Sequence, residues 1–301
     1  MRKASVFDFL ILLLLAAIWG SAFFNIKIAS GSYTPITLAL GRVLFAGIPL
    51  LTYCYFKKIK INFIGPEWKL LAAIALVNLV LPFFFISYGI IKVQSNLAAI
   101  LMSVAPIAAT IFGHFFTKNE KNTLMNSAGI LIGFLGIVYL FSDDILINKD
   151  NIFSALIIIL GPICYTLGGL VTLRLENKKN EDVTTSILIW AIIFLIPLSF
   201  FIEKPWNLHF EMVPTLSLIY LGVIPTAGAW LLRFYILRKN GLVFQSQVAY
   251  LIPIFGLFFG FIFLEEIITY KVIISLGAVL IGIFLVERSK YSKSKSSKSD
   301  S

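Results

Sequence analysis

Apolar side chains in this chain come in long unbroken runs, at approximately residues 6–29, 34–56, 68–90, 95–116, 123–141, 152–173, 183–202, 213–237, 242–264 and 270–287. Each is close to the ~20 residues that carry a helix across a ~30 Å hydrocarbon core. Between them lie short polar breakers such as Ser30-Gly31-Ser32, Asn119 to Asn122, Ser142-Asp143-Asp144 and Asn240-Gly241. The runs do not alternate apolar with polar positions, so the backbone must satisfy itself within each segment, as helices do and barrel strands do not. The pattern predicts an all-α polytopic membrane protein of ten transmembrane helices.

Composition agrees with that pattern. Hydrophobic residues make up 59% of the chain and charged ones 13%, with a mean hydropathy of +0.93. A water-soluble domain carries about a quarter charged residues, so a soluble globule is excluded. The two cysteines, Cys54 and Cys164, fall inside apolar runs and predict no disulfide framework. Arg2 and Lys3 precede the first run, which is longer than a signal-peptide core and is read as a retained helix. The segment 288–301, rich in Ser and Lys, predicts a disordered cationic tail.

The net charge of +10 is then explained by topology. With the amino terminus inside, seventeen of the 25 lysines and arginines fall in cytoplasmic segments, whereas Lys92, Lys149, Lys204 and Lys271 fall outside. That bias places both termini in the cytoplasm, and no nucleic-acid partner is implied.

The chain also matches itself. At an offset of 147, Tyr88, Lys92, Pro106 and Gly113 meet Tyr235, Lys239, Pro253 and Gly260, and Gly129 meets Gly277 one residue later. This register lays spans three to five on spans eight to ten. Five helices per half is an odd number, so the halves cross the membrane in opposite senses, the arrangement of secondary transporters that bind solutes near the midplane. The expected division is 1–145 and 146–287, followed by the tail.

The stretch Trp19-Gly20-Ser21-Ala22-Phe23 with Lys27, then Pro35, then Arg42 within Leu40 to Ala46, resembles the opening of the EamA family of the drug/metabolite transporter superfamily. Pro253, Gly260, Leu264-Glu265-Glu266, Thr269 and Gly277 resemble its second-half ending. The resemblance covers the chain up to the tail. It implies ten helices in two inverted repeats, a central cavity and transport of small metabolites across a bacterial inner membrane. The first half departs from the pattern, carrying Lys118-Asn119-Glu120-Lys121 where the second has the acidic pair.

Transport needs helices that bend and polar groups that face a cavity. Pro82, Pro106, Pro162, Pro225 and Pro253 lie near the middle of spans three, four, six, eight and nine and are the expected bending points. Trp19, Ser21, Asn78, Ser103, Tyr165, Trp230 and Tyr250 lie at similar depth and are the candidate substrate-binding residues. A buried polar side chain of this kind serves a ligand or holds helices together. Arg42 joins them, expected to meet carbonyls or an anionic ligand. Lys27 reads as a snorkelling anchor, and Arg233 as a similar one nearer the opposite end. Glu265 and Glu266 read as dipole complements at the start of the last helix.

Apart from Asp8 at the edge of span one, no span holds a carboxylate in its interior. That favours facilitated diffusion or exchange over proton coupling through a buried acid. No nucleophile elbow, zinc-peptidase helix, Cys-x-x-Cys or phosphate loop occurs, so neither catalytic residues nor a metal or cofactor is expected. The competing class is a non-transport membrane protein, an intramembrane enzyme or a sensor. Gly129 and Gly133 in span five and Ala278 and Gly282 in span ten form small-residue seams, for packing within one chain or for a homodimer through the fifth and tenth helices.

Overall fold

The computed structural model describes residues 5–105, 107–108, 111–112, 124–142, 149–175, 178–208, 210–240 and 248–299. Every regular element among them is a helix. In chain order these are α1 (Val6–Ala29), α2 (Pro35–Phe56), α3 (Trp68–Ala75), α4 (Leu81–Gly89), α5 (Ser95–Leu101), α6 (Leu124–Leu140), α7 (Lys149–Thr172), α8 (Asn180–Leu198), α9 (Met212–Leu221), α10 (Ala229–Asn240), α11 (Val248–Leu264) and α12 (Tyr270–Ser299). Wider π turns at Leu76–Val80 and Gly222–Gly228 join α3 to α4 and α9 to α10, and a third at Ser199–Glu203 ends α8.

Among the described residues, six helical stretches are long and apolar enough to cross a membrane: Val6–Ala29, Pro35–Phe56, Trp68–Gly89, Asp150–Thr172, Asn180–Glu203 and Met212–Arg233. The expectation of an all-α polytopic membrane protein is met by these long apolar helices. Ser127–Leu140, Leu251–Leu264 and Tyr270–Leu285 are shorter apolar helices. The fourth expected span leaves α-helical geometry after Leu101, just before Met102. Met102 supplies the carbonyl that the N–H of residue 106 would meet, and a proline has none to give. Most of the rest of that run lies outside the described residues.

The last helix, α12, runs from Tyr270 through Ser299. An apolar helix already nucleated extends at little cost, and lysine is a good helix former.

Helix starts follow local sequence. Ser5 and Asp8 form a capping box ahead of α1, and Pro35 opens α2 where a missing N–H costs nothing. Close approach follows small residues. A Cβ on Gly20 would lie 2.5 Å from that of Phe255, and one on Gly256 would lie 2.2 Å from that of Ala99, so α1, α11 and α5 pack with no side chain between them at these points. Spans five and ten pair within the chain: a Cβ on Gly282 would meet the Gly129 carbonyl at 2.6 Å, and one on Gly136 the Ala278 methyl at 2.9 Å. The outward faces of this pair carry exposed Leu131, Phe134, Ile274, Ile281 and Phe284, as a lipid-facing surface should.

Candidate midplane site

The π turn Gly222–Gly228 is the centre of the arrangement. In an α-helix the N–H of residue 225 would bond the Leu221 carbonyl, but Pro225 has no N–H. The π turn passes that carbonyl on to the next N–H in the chain, and the Thr226 hydroxyl also donates to it at 2.8 Å. The same hydroxyl oxygen accepts from Arg42 Nε at 2.8 Å. One residue back, the Pro225 carbonyl accepts from Trp19 Nε1 at 3.1 Å. A helix break in the second half of the chain is thus gripped by two side chains of the first half.

Arg42 is buried, and its guanidinium carbon sits 3.8 Å from the centroid of the Phe83 ring. It meets a hydroxyl and an aromatic face where carbonyls or an anion were the expectation. Tyr165 lies within electrostatic reach of it. Trp230 lines a narrow cleft with Leu79, Thr184, Ile187, Leu188 and Thr226, closed so tightly that about 0 Å³ is left for even a water molecule. Small-molecule sites hold ~300–1,000 Å³, so these walls must part to admit a solute. Behind Trp230, the guanidinium carbon of Arg233 lies 5.0 Å from the indole centroid. Its Nε is buried with no partner among the described residues.

Other expected residues sit apart from this centre. Ser21 bonds Tyr220 across the halves at 2.7 Å and donates to the Ile18 carbonyl at 2.8 Å. Asn78 lies in the π turn before Pro82 and packs on α7, where a Cβ on Gly168 would come within 2.0 Å of its Oδ1. Its amide donates to Thr172 at a long 3.5 Å. Ser103 is buried and its hydroxyl is without a partner among the described residues. Pro162 lies inside α7 and its carbonyl accepts from Thr166, while Pro253 lies inside α11. Pro106 and the Tyr250 side chain lie outside the described residues.

Charges tie both ends of the bundle. At the end where α1 finishes, Glu203 accepts from the backbone N–H of Ile36 and Thr37 at 2.9 and 2.7 Å and from the hydroxyls of Thr34 and Thr37. Glu266 accepts from the N–H of Ser95 and Asn96. It therefore caps α5, correcting the expectation that it serves the start of the last helix. Glu265 occupies left-handed backbone with φ 53°. Lys27 corrects another expectation, because it donates to the carbonyls of Ile90, Ile91 and Val93 at 2.6, 3.0 and 3.1 Å and does not reach for solvent. A cation at one helix end and a carboxylate at the next helix start is the pairing the helix dipoles favour.

At the opposite end, Lys239 pairs with Asp8 at 2.7 Å and Lys178 with Glu67 at 2.8 Å. The Asp8 carboxylate and the Tyr235 hydroxyl hold the Lys239 ammonium above the usual lysine range, and the Lys178 hydrogen bond holds Glu67 below the usual carboxylate range. Asp182 accepts from the Asn62 N–H, and Trp190 donates to the Phe63 carbonyl.

Thr226, Phe83 and Thr184 are the site residues that the sequence reading missed. For Thr226 a signal was present: a hydroxyl residue directly after a mid-span proline is placed to reach the carbonyl that proline cannot serve. Among the described residues no cluster of His, Cys, Asp and Glu suited to a metal occurs.

Known proteins share this sequence and shape. The model of the EamA-like transporter family matches twice, at residues 7–142 and 152–288. An uncharacterized transporter of Archaeoglobus fulgidus is 28% identical over 290 residues, covering 93% of this chain and 99% of its own. The uncharacterized transporter YoaV of Bacillus subtilis is 23% identical, covering 89% and 92%. The uncharacterized inner membrane transporter YedA of Escherichia coli K12 is 25% identical, covering 91% and 88%. A protein solved by crystallography, 14% identical, has the same fold with a TM-score of 0.67, over 91% of this chain and 94% of its own. With the family model spanning both halves, this chain belongs to the EamA-like transporter family, within the drug/metabolite transporter superfamily.

Proposed function

We propose that this membrane transporter moves a small metabolite, an amino acid or related zwitterion, by alternating access through the midplane cleft, in export, exchange or facilitated diffusion. The observation that carries the reading is the meeting of Arg42 and Trp19 from the first half with Pro225 and Thr226 from the second. Contacts of this kind across halves at mid-depth are where a rocking motion would open and close a site.

The reading includes two inverted five-helix repeats at 1–145 and 146–287. Its support is that the self-matching register carries the π turn at 76–80 onto 223–227, inside the second π turn. It also includes an inner-membrane location with both termini cytoplasmic, supported by the basic bias of the loops and by the similarity to YedA. The carboxylates at the bundle ends are engaged in capping and pairing, which supports transport without a buried acidic relay. A dimer would use the outward faces of α6 and α12.

Reconstitution in liposomes tests the proposal. Uptake of a radiolabelled amino acid, recovered chemically unchanged and accelerated by the same solute loaded inside, is the expected result. A chemically altered product, or flux no higher than that of empty liposomes across an amino-acid and metabolite panel, would sink it.

A further inference from the structure

The centre of the molecule carries positive charge that nothing in the described protein neutralises. Arg42 is 8% exposed, and a guanidinium stays charged at any physiological pH. A charge at that depth is costly unless paired. Neither Arg42 nor Arg233 has an ion-pair partner among the described residues. The carboxylates that could have served are held elsewhere: Glu203 on the start of α2, Glu266 on the start of α5, Asp8 on Lys239 and Asp182 on Asn62.

How Arg42 is held decides what it can still bind. Its Nε is committed to Thr226, and one flat face is covered by Phe83. What remains is the end of the fork, the two terminal amino groups, with the plane already fixed. That edge presents two parallel N–H donors, the geometry that takes both oxygens of a carboxylate or phosphate. The cleft shares Thr226 with this arginine, has the Thr184 side chain in its wall, and has Arg233 behind its Trp230 wall. An anion there would meet positive charge from Arg42, beside Thr226, and from Arg233, 5.0 Å from the Trp230 ring. A cation would meet repulsion from both.

Resting on the transport reading above, we infer that the solute is recognised through an anionic group, a carboxylate or a phosphate, that docks on the terminal amino groups of Arg42, with Thr226 as the positioning residue that sets the guanidinium plane. Among the described residues the cleft wall holds no carboxylate to meet the ammonium of a zwitterion, so that end is dispensable and the anionic end is not.

Thermal shift of the detergent-solubilised full chain tests this with pairs that share a skeleton: lactate and lactamide, leucine and leucinamide, glycerol phosphate and glycerol. The expected result is that at least one anion-bearing member stabilises the protein with an affinity at least ~10-fold above its partner. Whether the carboxylates or the phosphate respond tells the two chemistries apart. Arg42→Gln abolishes the shift, and Arg42→Lys, which keeps the charge without the fork, weakens it by ~10-fold. Thr226→Val weakens it while Thr226→Ser restores it, an outcome that a merely space-filling threonine would not give.

No stabilisation by any anion in the panel, equal stabilisation by the neutral or cationic members, or a shift that survives Arg42→Gln would overturn the inference. The two readings fail separately. Anion binding without uptake in liposomes would remove the transport reading alone. Uptake of a neutral solute unaffected by Arg42→Gln would remove this one alone.

Discussion

Spans three and eight both abandon α-helical geometry near a proline, and they resolve the break in different ways. In span eight the Leu221 carbonyl, which Pro225 cannot serve, accepts from the Thr226 hydroxyl, whose oxygen also holds Arg42, and the Pro225 carbonyl holds Trp19. In span three the π turn Leu76–Val80 presents Asn78, which packs on Gly168 through one long hydrogen bond. The first break is fastened by three short bonds, two of them to the other half of the chain. The second is fastened by shape. A helix break becomes part of a site when its freed carbonyls are taken by groups that also reach across the molecule.

Alanine at the two supporting glycines should give the largest contrast. A Cβ on Gly222 would lie 2.4 Å from the Phe45 Cβ and 2.9 Å from the Arg42 carbonyl, so α2 itself must shift. Gly222→Ala is expected to cost ~3 kcal/mol, the upper end of ordinary overpacking. Gly168→Ala meets only the Asn78 amide, a terminal group that can turn, and is expected to cost ~1 kcal/mol. Denaturant titration in detergent measures both, and equal costs would erase the contrast.

Removing the polar fastenings should follow with smaller effects. Thr226→Val removes the side-chain donor to the Leu221 carbonyl and leaves Arg42 Nε without its partner, at ~1–3 kcal/mol. Thr172→Val removes the 3.5 Å bond from Asn78 and the hydroxyl's own 2.7 Å bond to the Gly168 carbonyl, which a helix already supplies with a backbone donor, and ~0.5 kcal/mol is expected. A Thr172 effect matching that of Thr226 would show that span three is fastened by hydrogen bonding after all.

The smallest effect belongs to the exposed Lys178–Glu67 pair, which lies outside both breaks. Because its partner holds Glu67 below the usual carboxylate range, whatever the pair contributes is present above that range and is lost as pH falls through the lowered value. Lys178→Met should leave the melting temperature at neutral pH unchanged within error, as surface pairs usually do, and any difference should disappear in acid. A large loss at neutral pH would move the weight of stability from the breaks to the surface.

Much of the frame was legible in the sequence because lipid leaves the backbone so few options. Apolar run length locates α1, α2 and the span from Trp68 to Gly89, and the mid-span prolines point to where hydrogen bonding fails. What a run length cannot say is which carbonyl a side chain will reach. Lys27 read as a snorkelling residue because solvent is near, yet three carbonyls at the end of α4 are nearer. Glu266 read as a cap for its own helix, while the helix it caps starts some 170 residues earlier in the chain. Thr226 was passed over because one hydroxyl in an apolar run looks unremarkable until the proline before it is seen to leave a carbonyl without its α-helical donor. Arg42 stood out by charge alone, whereas its partners, Thr226 and Phe83, come from parts of the chain that only packing brings together.

Alternating access to the midplane cleft is the central claim, and thiol labelling tests it most directly. With Cys54 and Cys164 replaced by alanine, a Thr184→Cys variant carries a single thiol in the cleft wall. Labelled with a membrane-impermeant maleimide in right-side-out and in inverted vesicles, it is predicted to react from both sides, with transported solute changing the two rates in opposite directions. Reaction from one side only, whatever solute is present, would contradict the account.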